Sequence, residues 1–218
     1  MTRTYRVVHR TAYHYSATMS DGYTVVHVEP RPTEFQTVLR SEVDVEPAAS
    51  ASTTYHDAFG NVVHQYGIHE PHDDMAVEAV SEVVVERRPD PDDDSAWADV
   101  VALLDAAGGD VAVDVCGFRG ASRFVDLAAL GVPLRKIALA AFTPGRGIVD
   151  ATRALCTQIN ADFEFDAEFS DVSTPLADVL SARRGVCQDF AHLAVGALRS
   201  IGLPARYVSG YIETVPPP

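Results

Sequence analysis

Apolar and acidic residues alternate between Met75 and Arg87 with a period of two. One side carries Val77, Ala79, Val83 and Val85, and the other side carries Glu78, Glu82 and Glu86. This pattern predicts a strand with one buried face. Earlier segments rich in β-branched and aromatic residues predict further strands over 5–15, 23–29, 37–46, 53–57 and 61–68. Short strands joined by regular turns indicate an antiparallel β sandwich over residues 1–88.

Beyond residue 95 the apolar residues recur every three or four positions, which is the helical period. We predict helices that run from a Ser95 N-cap to Gly108, over residues 147–160, and from a Thr174 N-cap to Arg183 and Arg184. The stretch 110–134 is poorly periodic, with three alternating valines and a short helix expected over 124–130. A strand is predicted over 205–212. The fold class is therefore predicted to be α+β.

Residues 89–94 read Pro-Asp-Pro-Asp-Asp-Asp and separate the two patterns. The prolines and acids predict a solvated acidic linker between a β-sandwich domain at 1–88 and a second domain at 95–218. The acids lack the spacing and the turn glycine of a calcium loop, so we predict no metal site.

A last helix is predicted to begin at Cys187 and to run to about Ser200. Its apolar face carries Phe190, Leu193, Ala194, Ala197, Leu198 and Ile201. Gly202 and Pro204 end it. In the first turn of a helix the free amides and the dipole favour an anion, and the thiolate is the nucleophilic form of cysteine. Cys187 lies three residues before Phe190, so we expect its sulfur to face the interior, where an isolated cysteine is more often a small core residue.

The segments Arg183-Arg184-Gly185-Val186-Cys187-Gln188-Asp189-Phe190-Ala191-His192-Leu193 and Gly202-Leu203-Pro204-Ala205-Arg206-Tyr207-Val208-Ser209-Gly210-Tyr211 resemble the bacterial transglutaminase-like proteins. Residues 1–88, and Asp57-Ala58-Phe59-Gly60-Asn61 in particular, resemble the β region that precedes the thiol domain in that family. The resemblance implies a papain-like α+β domain with Cys187 as its nucleophile. It also implies a thiol acyltransferase or a cysteine peptidase or amidase, which acts on protein or peptide substrates through a thioester and needs no cofactor.

In that family a histidine and an aspartate follow the segment seen here as Gly210-Tyr211. No histidine follows His192 and no aspartate follows Asp189 in this chain, so the resemblance implies an incomplete domain. We expect the chain to be truncated and inactive as it stands. His192 lies about 140° around the helix from Cys187, and we expect it to be hydrogen-bonded within the domain. The alternative function is a non-catalytic binding protein that keeps the fold and uses its β sandwich.

Two further roles near Cys187 stay open at this stage. The Cys187 backbone amide is a plausible oxyanion donor because it begins a helix, whereas the direction of the Gln188 side chain is undetermined. Arg183 and Arg184 follow a predicted helix, where cations suit the negative end of the dipole. They could instead neutralise an acidic substrate or raise the thiolate fraction of Cys187.

The composition restricts partners and location. A formal net charge of −14 in 218 residues argues against nucleic acid and against an anionic membrane surface. Cys116, Cys156 and Cys187 form no disulfide or zinc pattern; we expect Cys116 to be incidental and Cys156 to pack beside its helix. Free thiols, no signal peptide and no apolar run long enough to span a membrane predict a cytoplasmic protein. Its oligomeric state is not predicted.

Overall fold

The computed structural model describes residues 2–91 and 94–213. The chain divides into two compact units, Met1–Asp90 and Pro91–Pro218. Strands occupy the first unit, and helices with one short pair of strands occupy the second.

The first unit consists of two antiparallel three-stranded sheets. Its strands are β1 (Thr2–Met19), β2 (Gly22–Val26), β3 (Gln36–Glu46), β4 (Ala51–His56), β5 (Val62–Ile68) and β6 (His72–Glu86). One sheet has the order β1-β6-β3 and the other has the order β2-β5-β4. The strand predicted from alternation over 75–87 is the centre of the first sheet.

The two sheets meet through a small apolar cluster. Ile68, Met75 and Val77 are buried there, and Tyr15, Val26, Val43 and Val45 pack against them. The Tyr66 hydroxyl of β5 donates to the Val43 carbonyl of β3 at 3.1 Å. The predicted antiparallel sandwich is therefore confirmed.

Six helices lie in the described part of the second unit, residues 91 and 94–213. They are α1 (Trp97–Ala106), α2 (Gly109–Arg119), α3 (Leu127–Ala141), α4 (Ile148–Asp162), α5 (Leu176–Ala182) and α6 (Cys187–Ser200). Strands β7 (Glu164–Phe165) and β8 (Arg184–Gly185) pair in parallel. The core includes the fully buried side chains of Leu134, Phe142, Leu155, Val179 and Leu193, so apolar faces of α3, α4, α5 and α6 converge on it.

The stretch 110–134 differs from its prediction. The alternating valines lie in helix α2, and α3 begins at Leu127 and runs to Ala141, well past the predicted end at residue 130. The Asp126 carboxylate starts α3 by accepting hydrogen bonds from the Ala128 and Ala129 amides. Three alternating residues are too short a signal to establish a strand.

The strand predicted over 205–212 is also wrong. Residues 203–213 form no strand, and Val208 and Ile212 are 74% and 82% exposed. The Ala205 amide donates to the Phe118 carbonyl of α2. A strand needs a partner to pair its backbone, and no described segment lies alongside to provide one.

The acidic linker contains a helix cap. The Asp94 carboxylate accepts hydrogen bonds from the amides of Val149 at 2.7 Å and Asp150 at 3.3 Å, in the first turn of α4. Asp94 therefore does more than face solvent, while Asp92 and Asp93 lie outside the described residues. The predicted Ser95 and Thr174 caps are wrong, because Ala96 and Pro175 occupy those positions without a side-chain hydrogen bond.

Candidate functional site

Cys187 is the first residue of α6, which ends at Ser200 as predicted. Leu193, Val195, Gly196 and Ala197 are buried along this helix. The apolar spacing read from the sequence therefore located the helix correctly.

The thiol does not face the interior. Cys187 is exposed, and Phe190, one turn further along, is only half-buried. Asp189 in the same turn is buried and Phe190 packs against the core, so the core reaches the start of α6 while Cys187 itself lies on the solvent side. Cys116 and Cys156 are also exposed, and all three cysteines are free. The exposure of Cys156 contradicts the packing role expected for it.

Some backbone amides at the start of α6 have a hydrogen-bond acceptor and others do not. The Val186 amide donates to Asp189 Oδ2 at 2.8 Å. Within residues 2–91 and 94–213, the amides of Cys187 and Gln188 have no acceptor. Unpaired amides at a helix N-terminus suit an anion such as a developing oxyanion.

Asp189 is a site residue that sequence reasoning missed. Its side chain is 4% exposed, and Oδ2 accepts the Ser170 hydroxyl at 2.5 Å as well as the Val186 amide. No role for Asp189 was predicted from the sequence. The available signal was its place at the third helical position, where acids cap the preceding amide; no signal pointed to Ser170.

Arg183 and Arg184 are held by their neighbours. The Arg183 guanidinium lies 4.9 Å from the centre of the Phe163 ring, and its Nη1 is 3.8 Å from an Asp162 oxygen. The Arg184 guanidinium lies 4.6 Å from the Phe169 ring centre and its Nη1 is 3.3 Å from Asp166 Oδ2. Arg183 also ends α5 in a left-handed conformation. These contacts favour the structural role over direct contact with a substrate.

His192 is held by ring stacking. Its imidazole lies between the rings of Phe124 and Tyr207, with 5.0 Å between centres on each side. Burial lowers the pKa of His192, the Asp189 charge opposes that shift, and Arg199 adds to it. The described residues provide neither the hydrogen bond we expected for this ring nor an imidazole bonded to the Cys187 sulfur.

Two features are absent from residues 2–91 and 94–213. No group of three or more His, Cys, Asp or Glu side chains there could hold a metal ion. No helix there is long and apolar enough to cross a membrane.

Comparisons with known proteins cover both units. Residues 5–84 match the bacterial transglutaminase-like N-terminal region, and residues 137–216 match the transglutaminase-like superfamily. Uncharacterized proteins from Mycobacterium tuberculosis and Mycobacterium bovis are each 32% identical over 222 residues, which span 100% of this chain and 68% of each relative. One from Mycobacterium leprae is 30% identical over 95% of this chain and 71% of its own length.

A solved structure has the same fold. The crystal structure of a "Putative Cysteine Protease" from Cytophaga hutchinsonii superposes with a TM-score of 0.66 at 19% identity, over 94% of this chain and 67% of that one. This likeness confirms the predicted fold class, a β sandwich followed by a transglutaminase-like α+β domain.

Proposed function

The chain belongs to the bacterial transglutaminase-like family, and from that premise we propose that it is a thiol acyltransferase or a cysteine peptidase or amidase with Cys187 as its nucleophile. One observation carries the proposal: an exposed thiol begins a helix whose first amides have no acceptor among the described residues. In the same unit, Cys156 is also exposed but lies within α4, away from any open helix end.

The chemistry follows from this geometry. The Cys187 thiolate attacks the carbonyl carbon of a carboxamide or peptide bond, and the carbonyl oxygen becomes an oxyanion. We assign the Cys187 and Gln188 amides, which have no acceptor among the described residues, as its hydrogen-bond donors. The C–N bond then breaks, the amine leaves with a proton, and a thioester remains. Water or a second amine attacks the thioester, the C–S bond breaks, and the acid or the new amide forms with release of the thiolate and of one proton, which balances the proton taken up by the leaving amine.

The leaving amine needs a proton donor, and the second unit contains a single histidine, His192. Its ring lies between Phe124 and Tyr207, and burial lowers its pKa, so little of it is protonated near neutrality and it has few protons to donate. We therefore propose that this chain by itself forms a thioester from an activated ester but turns over amides slowly. An activated ester tests the nucleophile separately because its leaving group needs no proton.

The experiment is acylation by p-nitrophenyl acetate, with each cysteine peptide quantified by mass spectrometry. We expect the Cys187 adduct to form at least about tenfold faster than the adducts on Cys116 and Cys156. The matched variants are Cys187→Ala and Cys156→Ala, and only the first should remove the fast phase. Equal acylation of all three exposed cysteines would contradict a nucleophilic role for Cys187.

The substrate class and the location are part of the same proposal. We propose a protein or peptide substrate, because the exposed thiol can reach a carboxamide on a large molecule. We also propose a cytoplasmic location, since three free, exposed thiols suit a reducing compartment. Assays with a glutamine-containing peptide, with and without an added amine, distinguish transfer from hydrolysis.

A further inference from the structure

Several contacts converge on the backbone that leads into α6. The Asp166 amide donates to the Gly185 carbonyl at 3.0 Å, and the Glu164 amide donates to the Arg183 carbonyl at 2.9 Å. Arg184 pairs with Asp166 and stacks on Phe169. The segment after β7 therefore holds residues 183–185 in place immediately before the nucleophile.

Asp189 holds the same backbone from the helix side. A buried carboxylate is costly unless it is hydrogen-bonded, and this one accepts from Ser170 and Val186 while it lies in the positive first turn of α6. Gly185 makes this possible, because a Cβ at that position would lie 2.6 Å from Asp189 Oδ2. The carboxylate thus packs against bare backbone.

The consequence concerns the residue between Gly185 and Cys187. Val186 is the N-cap of α6, its amide is bonded to Asp189, and its carbonyl accepts from the Phe190 amide. The Val186 backbone is therefore hydrogen-bonded through both its amide and its carbonyl, while the Cys187 thiol stays exposed. We infer that Asp189, oriented by Ser170, is a positioning residue that sets the direction of the Cys187 thiol and of the amides beside it.

The expected effect of Asp189 on acyl transfer rests on the proposed function, whereas its effect on the Cys187 thiol does not. The test therefore begins with the reactivity of the thiol, which can be measured without turnover. The rate of Cys187 alkylation by iodoacetamide is measured against pH by peptide mass spectrometry, with Cys156 as a reference in the same molecule. Hydrogen exchange of residues 184–190 is followed in parallel. The main variant is Ser170→Ala, which keeps the Asp189 charge. Its matched control is Ser173→Ala, which removes an exposed hydroxyl bonded to Asp171.

In Ser170→Ala we expect exchange of the Val186 amide to rise about tenfold. We also expect Cys187 alkylation near neutral pH to fall about threefold relative to Cys156, because a loosened first turn holds the thiol and its neighbouring amides less firmly. Ser173→Ala should change neither, and Ser170→Thr should restore both. Asp189→Asn is the less direct variant, because it also removes a negative charge that disfavours the thiolate. Ser170→Ala keeps that charge and remains decisive even if Asp189→Asn fails to fold.

Two results would overturn the inference. The first is faster exchange at Val186 with an unchanged Cys187 profile in Ser170→Ala, which would make the contact purely structural. The second is unchanged exchange at Val186. If the wild type turns over a substrate, Ser170→Ala should also lower kcat about tenfold and leave KM within about twofold, and an unchanged kcat would count against positioning. If the wild type forms no acyl adduct, the proposed function fails while the alkylation result still decides the role of Asp189.

Discussion

Helices α4 and α6 both begin beside a carboxylate that accepts backbone amides, but they differ in how many of their first amides are paired. Each start has a carboxylate bonded to backbone amides beside a glycine, Asp94 beside Gly147 and Asp189 beside Gly185. In α4 the Ile148 amide donates to the Ser95 carbonyl, and the next two donate to Asp94. All three early donors of α4 are thus paired.

In α6 the carboxylate comes from within the helix and takes only the Val186 amide. The following two amides have no acceptor in the described residues, and an exposed cysteine stands beside them. The comparison teaches that the position of the capping carboxylate decides whether a helix start is closed or open. The carboxylate that caps α4 comes from a distant segment and pairs the first amides of that helix. The carboxylate that caps α6 comes from the third helical position and leaves the next two amides without an acceptor among the described residues.

The largest expected effect separates the cysteines of the two helices. We expect Cys187→Ala to lower thioester formation or turnover by ~10³-fold or more, because the proposed nucleophile is lost. Cys156→Ala on α4 should leave both within about twofold of the wild type. The measurement is adduct formation by intact mass, with turnover wherever the wild type shows it. A Cys156→Ala variant as impaired as Cys187→Ala would remove the distinction between the two helices.

The next effect concerns the two glycines. We expect Gly185→Ala to destabilise the protein by about 1–3 kcal/mol, since the new Cβ would overlap the buried Asp189 carboxylate. Gly147→Ala should cost less, because Asp94 is exposed and can turn into solvent. Thermal unfolding followed by helical circular dichroism checks the order. The reverse order would show that the buried cap contributes less to stability than the exposed one.

Removal of the distant cap should have a moderate effect confined to stability. We expect Asp94→Ala to destabilise the protein by about 1 kcal/mol, which is typical of losing a carboxylate helix cap. Asp94→Asn keeps an acceptor and is the matched control, expected to retain most of the wild-type stability. Cys187 alkylation should be unchanged in both variants. A slower Cys187 reaction in Asp94→Ala would mean that the starts of α4 and α6 are coupled.

The smallest effect is a pH dependence on α6. Burial lowers the folded-state pKa of His192 below its ordinary 6.5. The unfolded state therefore binds the proton more tightly, so this contribution to stability is fully present above about pH 6.5 and declines as the pH falls through the folded-state pKa. We expect wild type to lose more stability than His192→Phe between about pH 7.5 and pH 5. Equal losses would show that His192 contributes nothing to the dependence.

The sequence alone was sufficient for the elements with long, regular periods. The alternation over 75–87 located β6, and the spacing from Phe190 to Ile201 located α6 with Cys187 at its first position. The segments around Cys187 and Gly210 also identified the family. These signals are local, because each depends on residues within one strand or one helix and on the face they bury.

Only the tertiary structure decided the environment of the thiol and the ends of the helices. Asp94 caps a helix 55 residues away, and the Ser170 hydroxyl reaches Asp189 across 19 residues, so no local spacing could reveal either bond. Cys187 is exposed although Phe190, three residues further along, packs against the core, and residues 205–212 form no strand because no described partner lies beside them. Periodicity indicates which face of an element is apolar, whereas burial and pairing depend on what the rest of the chain places against that face.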